Sequence, residues 1–288
     1  MATPNVDTRA FLSQTKFYDS YSRFKETGNG GYESWDEAVD RVLEMHEKNY
    51  AGYENTLRPY LEEARAAYKE QRVLGAQRAL QFGGDSLMKH QMRMYNCTSS
   101  YADRPDFFGE YFYILLCGAG AGFSVQSHHI AKLPNIQQRT KQAKGYIVED
   151  SIEGWASALD VLLSSYFVGG GKFPEYEGRR VFFDLTNIRP KGAKISGGFK
   201  APGPEGLRKS LDKIEHLLQG IVIDSKETKN IRPIDVYDIT MHAADAVLSG
   251  GVRRSATICL FSPDDEEMMN AKTGSWYMDN PQRGRSNN

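Results

Sequence analysis

Three times along this chain a helical segment gives way to glycines and then to an apolar strand, and that order narrows the fold more than any other feature. Phe107–Cys117 is a strongly apolar helical run that meets Gly118-Ala119-Gly120-Ala121-Gly122 and then a strand over Phe123–Gln126. Ile152–Phe167, preceded by Asp150-Ser151, stops at Gly169-Gly170-Gly171 and leads to a strand over Val181–Leu185. Pro233–Leu248 ends at Gly250-Gly251 and leads to a strand over Ser255–Phe261. A further helix is predicted from Pro204 to Gln219, closed by Gly220. Glycine ends helices because it alone takes left-handed φ at no steric cost. Helices alternating with strands imply crossover connections, so the predicted class is α/β with a parallel sheet or barrel.

The same order excludes other folds. A dinucleotide fingerprint needs a strand, then G-x-G-x-x-G, then a helix; here the helix comes first and Phe123 stands where the last glycine belongs. No G-x-x-x-x-G-K-[ST] loop is present, which removes the P-loop NTPases. Upstream, Trp35, Ala38, Val39, Val42, Leu43 and Met45 fall at helical spacing behind a Ser34/Glu37 capping box, and a second helix spans about Thr56 to Arg72. Residues 1–75 therefore read as a helical subdomain, and the Gly83-Gly84 pair breaks the pattern that follows. Lys+Arg 36 against Asp+Glu 37 leaves a net charge of -1, so no global field draws the chain to nucleic acid or to an anionic membrane. Apolar stretches such as Leu159–Val168 fall short of the roughly 20 residues of a membrane span, and Met1–Ala10 has no apolar signal core. The expected compartment is the cytoplasm. The polar segment Asn280–Asn288 reads as a loop approaching another strand.

Candidate chemistry is confined to a few places. The chain has three cysteines, Cys97, Cys117 and Cys259, and no C-x-x-C pair. Cys117 on an apolar helix face and Cys259 inside an apolar strand are core thiols by their setting, and for Cys97 composition alone also favours a buried, inert thiol. Adjacent His128 and His129 point apart on an extended segment and lack a nearby acidic or thiol ligand, so they read as surface histidines. Two glycine-basic loops remain: Arg189-Pro190-Lys191-Gly192-Ala193-Lys194, and Gly250-Gly251-Val252-Arg253-Arg254-Ser255. Each alone is as well explained by a solvated loop, but two such loops beside predicted strands suit a bound polyphosphate, with backbone amides and guanidiniums gripping the anion.

These residues sit in longer runs that resemble a family. Ala79-Leu80-Gln81-Phe82-Gly83-Gly84, Met94-Tyr95-Asn96-Cys97 and Leu115-Leu116-Cys117-Gly118-Ala119-Gly120-Ala121-Gly122-Phe123-Ser124-Val125-Gln126 resemble the monomeric class II ribonucleotide reductases, the adenosylcobalamin-dependent ribonucleoside-triphosphate reductases. Glu149-Asp150-Ser151-Ile152-Glu153-Gly154-Trp155, Ile188-Arg189-Pro190-Lys191-Gly192-Ala193, Ala201-Pro202-Gly203-Pro204 and Ser249-Gly250-Gly251-Val252-Arg253-Arg254-Ser255 follow in the same order. The resemblance runs over nearly the whole chain from Tyr18.

It implies the first half of a ten-stranded α/β barrel over residues 76–288, with an insertion at about 128–180 that replaces a dimer partner at the effector site. It also implies that Cys97 is the N-terminal member of a redox-active cysteine pair, reversing the composition reading. The pair reduces a ribonucleotide after a thiyl radical has removed its 3′-hydrogen. Asn96, Thr98, Gly120, Arg254 and Ser255 become candidates for substrate contact, and Asp150, Ser151, Arg189, Lys191, Lys194 and Arg253 for binding a dNTP allosteric effector. The implied partners are the ribonucleotide, the effector, thioredoxin or a similar dithiol, and adenosylcobalamin.

The departures matter equally. No Asn-x-Cys-x-Glu occurs, so the radical cysteine, its carboxylate and the second redox thiol are absent from this sequence. The chain is therefore expected to be the N-terminal half of such an enzyme, needing a C-terminal half for activity and for most of the cobalamin seat. The alternative is a non-catalytic nucleotide-binding or regulatory protein that kept the effector loops, against which retention of Cys97 speaks.

Overall fold

The structure, a computed structural model, describes residues 7–25, 31–193, 200–225, 227–248 and 257–287. They divide into two compact units, one reaching to Tyr95 and the other beginning at Asn96.

The first unit is helical. It contains α1 (Thr8–Ser20), α2 (Trp35–Asn49), α3 (Glu54–Lys69), α4 (Gln77–Phe82) and α5 (Asp85–Lys89). The predicted capping box forms: Ser34 accepts from the Glu37 amide, and the Glu37 carboxylate accepts from the Ser34 amide at 2.7 Å. Val39, Val42 and Leu43 of α2 bury against Tyr68 of α3 and Ala79 and Leu80 of α4. Because α4 adds to this core, the unit runs past the expected boundary near residue 75. Arg41 holds α2 to the following turns, pairing with Glu33 and donating to the Leu80 and Gly83 carbonyls.

The second unit is α/β. Its strands β1 (Cys97–Tyr101), β2 (Gly120–Ser124), β5 (Thr257–Leu260) and β6 (Ser286–Asn287) form one parallel sheet in that spatial order. A second parallel pair joins β3 (Lys141–Ile147) to β4 (Arg179–Asp184). Each adjoining β1/β2 and β3/β4 pair is connected through a helix, α6 (Phe107–Leu116) in the first and α8 (Ile152–Tyr166) in the second, as parallel pairing requires. The short α7 (Ser127–Ile130) follows β2. Helices α9 (Glu205–Val222) and α10 (Pro233–Leu248) precede β5, and the short α11 (Glu266–Met269) and α12 (Trp276–Asp279) precede β6.

Several boundaries differ from the sequence reading for physical reasons. The Gly118–Gly122 run is not simply a helix stop, since β2 begins at Gly120, whose amide donates to Asn96 O at 2.8 Å. Helix α9 passes through Gly220, because apolar burial at Leu207, Leu211, Ile214, Leu218 and Val222 continues the helical period beyond it. His128 and His129 lie on the helical turn α7 rather than on an extended segment, with ring centroids 3.9 Å apart. Strand β3 was hidden inside a Lys/Gln-rich stretch because almost all of it is solvent-exposed. The polar segment after Asn280 does deliver a strand, pairing Ser286 with Thr257.

Helices α6, α8, α9 and α10 pack in a closed ring, each against two others. Phe107, Phe108, Phe112 and Leu115 meet Leu159, Leu162, Leu163 and Tyr166 in its core, and burying each such side chain stabilises by about 1.5–3 kcal/mol. Ser210 Oγ donates to His242 O at 2.7 Å, tying α9 to α10. Where α6 crosses α8, Gly109 lies on the Asp160 carboxylate; a Cβ there would fall 2.1 Å from Asp160 Oδ2. Asp160 is buried, paired with Lys172 Nζ at 2.9 Å and hydrogen-bonded also by the Gly109 backbone.

Two outcomes follow from that crossing. Gly109→Ala should destabilise the chain by about 3 kcal/mol, as overpacking at a close contact does, and denaturant titration measures it. Burial holds the Asp160 carboxyl up at about 6, opposed by the Lys172 ammonium, from an ordinary 3.8. A carboxyl whose folded pKa is raised binds its proton more tightly when folded, so its contribution favours folding at low pH and is lost as pH rises from about 4 to about 6. Relative to wild type, Asp160→Asn should gain about 3 kcal/mol between pH 4 and pH 7; a pH-independent difference between the two would contradict this.

Candidate functional site

Alternation along the strands gives the larger sheet two unlike faces. Ala121, Phe123, Thr257, Cys259 and Ser286 point to the helix-covered face and are buried. Tyr111 of α6 hydrogen-bonds Thr257 Oγ1 at 2.9 Å, and Tyr237 of α10 hydrogen-bonds Ser286 Oγ at 2.9 Å, so two phenols pin the helices to the back of the sheet. Burial of both hydroxyls pushes their pKa values up, that of Tyr237 to about 12, so both stay neutral hydrogen-bonding groups.

The opposite face is open except at its C-terminal end, where Ser124 is buried beside Gln126 and His129 and the Tyr101 ring lies 4.6 Å from that of His129. Cys97, Ser99 and Tyr101 on β1 share this face with Gly120 and Gly122 on β2 and with Ile258 and Leu260 on β5. Tyr101, Ile258 and Leu260 are 56%, 49% and 55% exposed. Glycines at 120 and 122 leave a trough along β2, with the β1 side chains on one wall and the β5 side chains on the other. The trough is tight: a Cβ on Gly122 would come within 3.1 Å of Ile258 Cγ2. Cys97 stands at the N-terminal end of the trough, directly opposite Gly120 in the register, with its thiol exposed. Exposure overturns the composition-based reading of a buried thiol here, whereas Cys117 and Cys259 are buried as expected.

The structure brings Asn96, Cys97 and Gly120 together, through Asn96 O and the Gly120 amide. Thr98 does not join them, since its side chain lies one residue on and therefore on the helix-covered face, level with Ala121. Arg253, Arg254, Ser255 and Lys194 lie outside the described residues. No polar alternation in Cys97-Thr98-Ser99-Ser100-Tyr101 betrays a strand, so Ser99, Tyr101, Gly122, Ile258 and Leu260 could be found only once the register was known.

A second grouping gathers at the start of α8. Ser151 caps that helix, accepting from the Gly154 amide at 2.9 Å, and Asp150 pairs with Arg189 Nε, joining two of the candidates for effector binding. Lys191 is exposed in the adjoining turn. The turn is held where the Gly192 amide donates to Ala201 O at 2.9 Å and the Ala201 amide to Ala193 O at 2.7 Å. Gly203, at φ +76, passes so close that a Cβ would meet the Lys191 amide at 2.9 Å. The result is a helix N-terminus facing a loop that carries two cations, a setting that favours anions. Asp150 already neutralises one of them. Among the described residues no cluster of His, Cys, Asp and Glu could hold a metal ion, and no helix is long and apolar enough to cross a membrane.

The thiols should differ in reactivity. Iodoacetamide applied to the folded chain should alkylate Cys97 and spare Cys117 and Cys259, which are buried, with burial also pushing the Cys259 thiol pKa up. Peptide mass spectrometry reads the result, and equal labelling of all three before unfolding would contradict the assigned faces.

No protein-family model matches the chain. An adenosylcobalamin-dependent ribonucleoside-triphosphate reductase of Lactobacillus acidophilus is 26% identical over an alignment covering 91% of this chain and 42% of its own length. That of Lactobacillus leichmannii is 26% identical over 84% of this chain and 40% of its own length. A crystal structure of a B12-dependent, class II ribonucleotide reductase superposes with a TM-score of 0.78 at 22% identity, covering 96% of this chain and 45% of that one, a likeness of fold. The chain thus spans about two fifths of the length of the curated relatives it matches. In sequence over most of its length it is similar to part of the adenosylcobalamin-dependent ribonucleoside-triphosphate reductases, and its mixed helix and parallel-sheet fold is that of part of the class II ribonucleotide reductase structure.

Proposed function

We propose that this chain forms the N-terminal part of a ribonucleotide reductase and that the open sheet face is one inner wall of its active-site barrel. The observation that carries the reading is Cys97: an exposed thiol at the head of a glycine-floored trough, on a parallel sheet whose other face is fully packed. A parallel sheet normally has both faces covered, so this face awaits the rest of the enzyme.

In that role Cys97 pairs with a second cysteine contributed by the remaining part. The substrate 2′-hydroxyl leaves as water, the two thiols supply two electrons and two protons, and a disulfide forms between them. An external dithiol such as thioredoxin reopens it by exchange. Adenosylcobalamin, when bound, supplies the radical that starts the cycle. Gly120 and Gly122 let the sugar lie against the strand backbone beside Cys97, and Asn96 fixes Gly120 in register. Asp150, Ser151, Arg189 and Lys191, with Lys194 and Arg253, belong to the nucleotide-sensing side, where residues 128–180 stand in for a partner subunit, while Arg254 and Ser255 serve the substrate. The substrate is a ribonucleoside phosphate and the effector a dNTP.

The test is reconstitution. The chain, combined with the complementary C-terminal part, adenosylcobalamin, a ribonucleotide and a dithiol, should form deoxynucleotide over many turnovers. Cys97→Ser should reduce thioredoxin-linked turnover at least a hundredfold while leaving the fold and melting temperature unchanged. Undiminished multiple turnover by Cys97→Ser would remove the assigned role.

A further inference from the structure

Residues 138–139, the start of β4 and one face of α9 enclose a cleft of about 540 Å³. Arg139, Arg180, Asp212, Glu215, His216 and Gln219 line it, together with Gln138. Its volume falls within the range of small-molecule sites, about 300–1,000 Å³. It shares no residue with the trough beside Cys97 or with the Asp150–Arg189 grouping, although Gln138, Arg139 and Arg180 belong to the segment 128–180 proposed above to stand in for a partner subunit.

Arg139 is the unusual member. Its side chain is only 7% exposed, and its guanidinium lies 4.3 Å from the centre of the Tyr166 ring. One nitrogen, Nη2, donates to Glu215 Oε1, while Nε and Nη1 are buried without a hydrogen-bond partner in the structure. A buried donor left unpaired is costly, and a guanidinium presents its donors in a fork that matches a carboxylate or phosphate. The scaffold around it is firm. Gln138 Nε2 donates to Val222 O at 2.9 Å and to Ile223 O at 2.8 Å, closing the end of α9. The Tyr166 hydroxyl donates to Glu215 O at 3.3 Å.

We propose that this cleft binds a phosphate-bearing ligand of nucleotide size. Arg139 and the exposed Arg180 at the rim take the phosphate, with His216 beside them. The acceptors Glu215, Gln219 and Asp212 face sugar hydroxyls or a base amino group, which a bare inorganic anion lacks. The mixed lining selects a ligand with both an anionic end and hydrogen-bond donors, and it disfavours a naked polyanion because Asp212 and Glu215 offset the two guanidiniums. This inference does not rest on the reductase reading, since it needs no chemistry at Cys97.

Titration calorimetry on the full chain provides the test, with AMP, adenosine and inorganic phosphate as probes. AMP should bind more tightly than either fragment. Arg180→Glu, an exposed change, should weaken AMP binding about tenfold or more, the scale of losing one charge-assisted contact. Arg139→Lys, which keeps the charge and loses the fork, should weaken it similarly, with the melting curve showing that each variant is folded. AMP affinity unchanged in folded Arg180→Glu would overturn the proposal. So would AMP bound no better than inorganic phosphate or adenosine, or no AMP binding by the folded wild-type chain.

Discussion

A parallel sheet has no inherently polar side, because its crossover helices ordinarily cover both faces; the larger sheet here has one face sealed by helices and the other open over most of its length, covered only where Ser124 and Tyr101 meet His129. The α6 and α10 helices seal the back through Phe107, Phe112, Tyr111 and Tyr237, and two phenol-to-hydroxyl contacts set their height above the strands. On the front, Ile258 and Leu260 stand in solvent on a strand whose alternate residues are buried. Leaving such residues exposed forgoes several kcal/mol of burial. In the function proposed here, that front is one inner wall of a barrel and the thiol at its head works inside the enclosure.

The helical ring explains how the second βαβ unit is held. The β1-α6-β2 and β3-α8-β4 segments are built alike, and α6 and α8 meet at Gly109 and Asp160, where the absence of a side chain admits a buried carboxylate. That approach is closer than apolar packing would need, and it places the start of α8, with Ser151 as its cap, beside the Arg189 turn. The proposed sensing loops thus depend on a helix crossing that is itself sensitive to a single added methyl group.

Much of the architecture was legible in the sequence. The capping box at Ser34, the apolar period of α6 and α10 and the glycine stops after α8 are local signals, and each formed as read. What failed did so where tertiary pairing overrode local composition. Glycines 120 and 122 became strand because β1 lies beside them; β3 carries lysines because water covers it; Gly220 stayed helical because the burial of Leu218 and Val222 continues past it. For the site, Cys97 was visible only through a family likeness, since its exposure depends on a register that no local pattern in Cys97–Tyr101 encodes. The Arg139 cleft left no signal at all, because Arg139 and Glu215 are far apart in the chain and meet only when the fold sets Arg139 against α9.

The central claim, that the exposed thiol on the open sheet face is a source of reducing equivalents, is tested most directly by a single-turnover experiment without external dithiol. The reconstituted enzyme is quenched after one round with a ribonucleotide, its free thiols are alkylated, and the peptides are sorted by mass. The account predicts one new disulfide per deoxynucleotide formed, joining Cys97 to a cysteine of the complementary part. Deoxynucleotide formation with Cys97 recovered wholly as the alkylated thiol would contradict it.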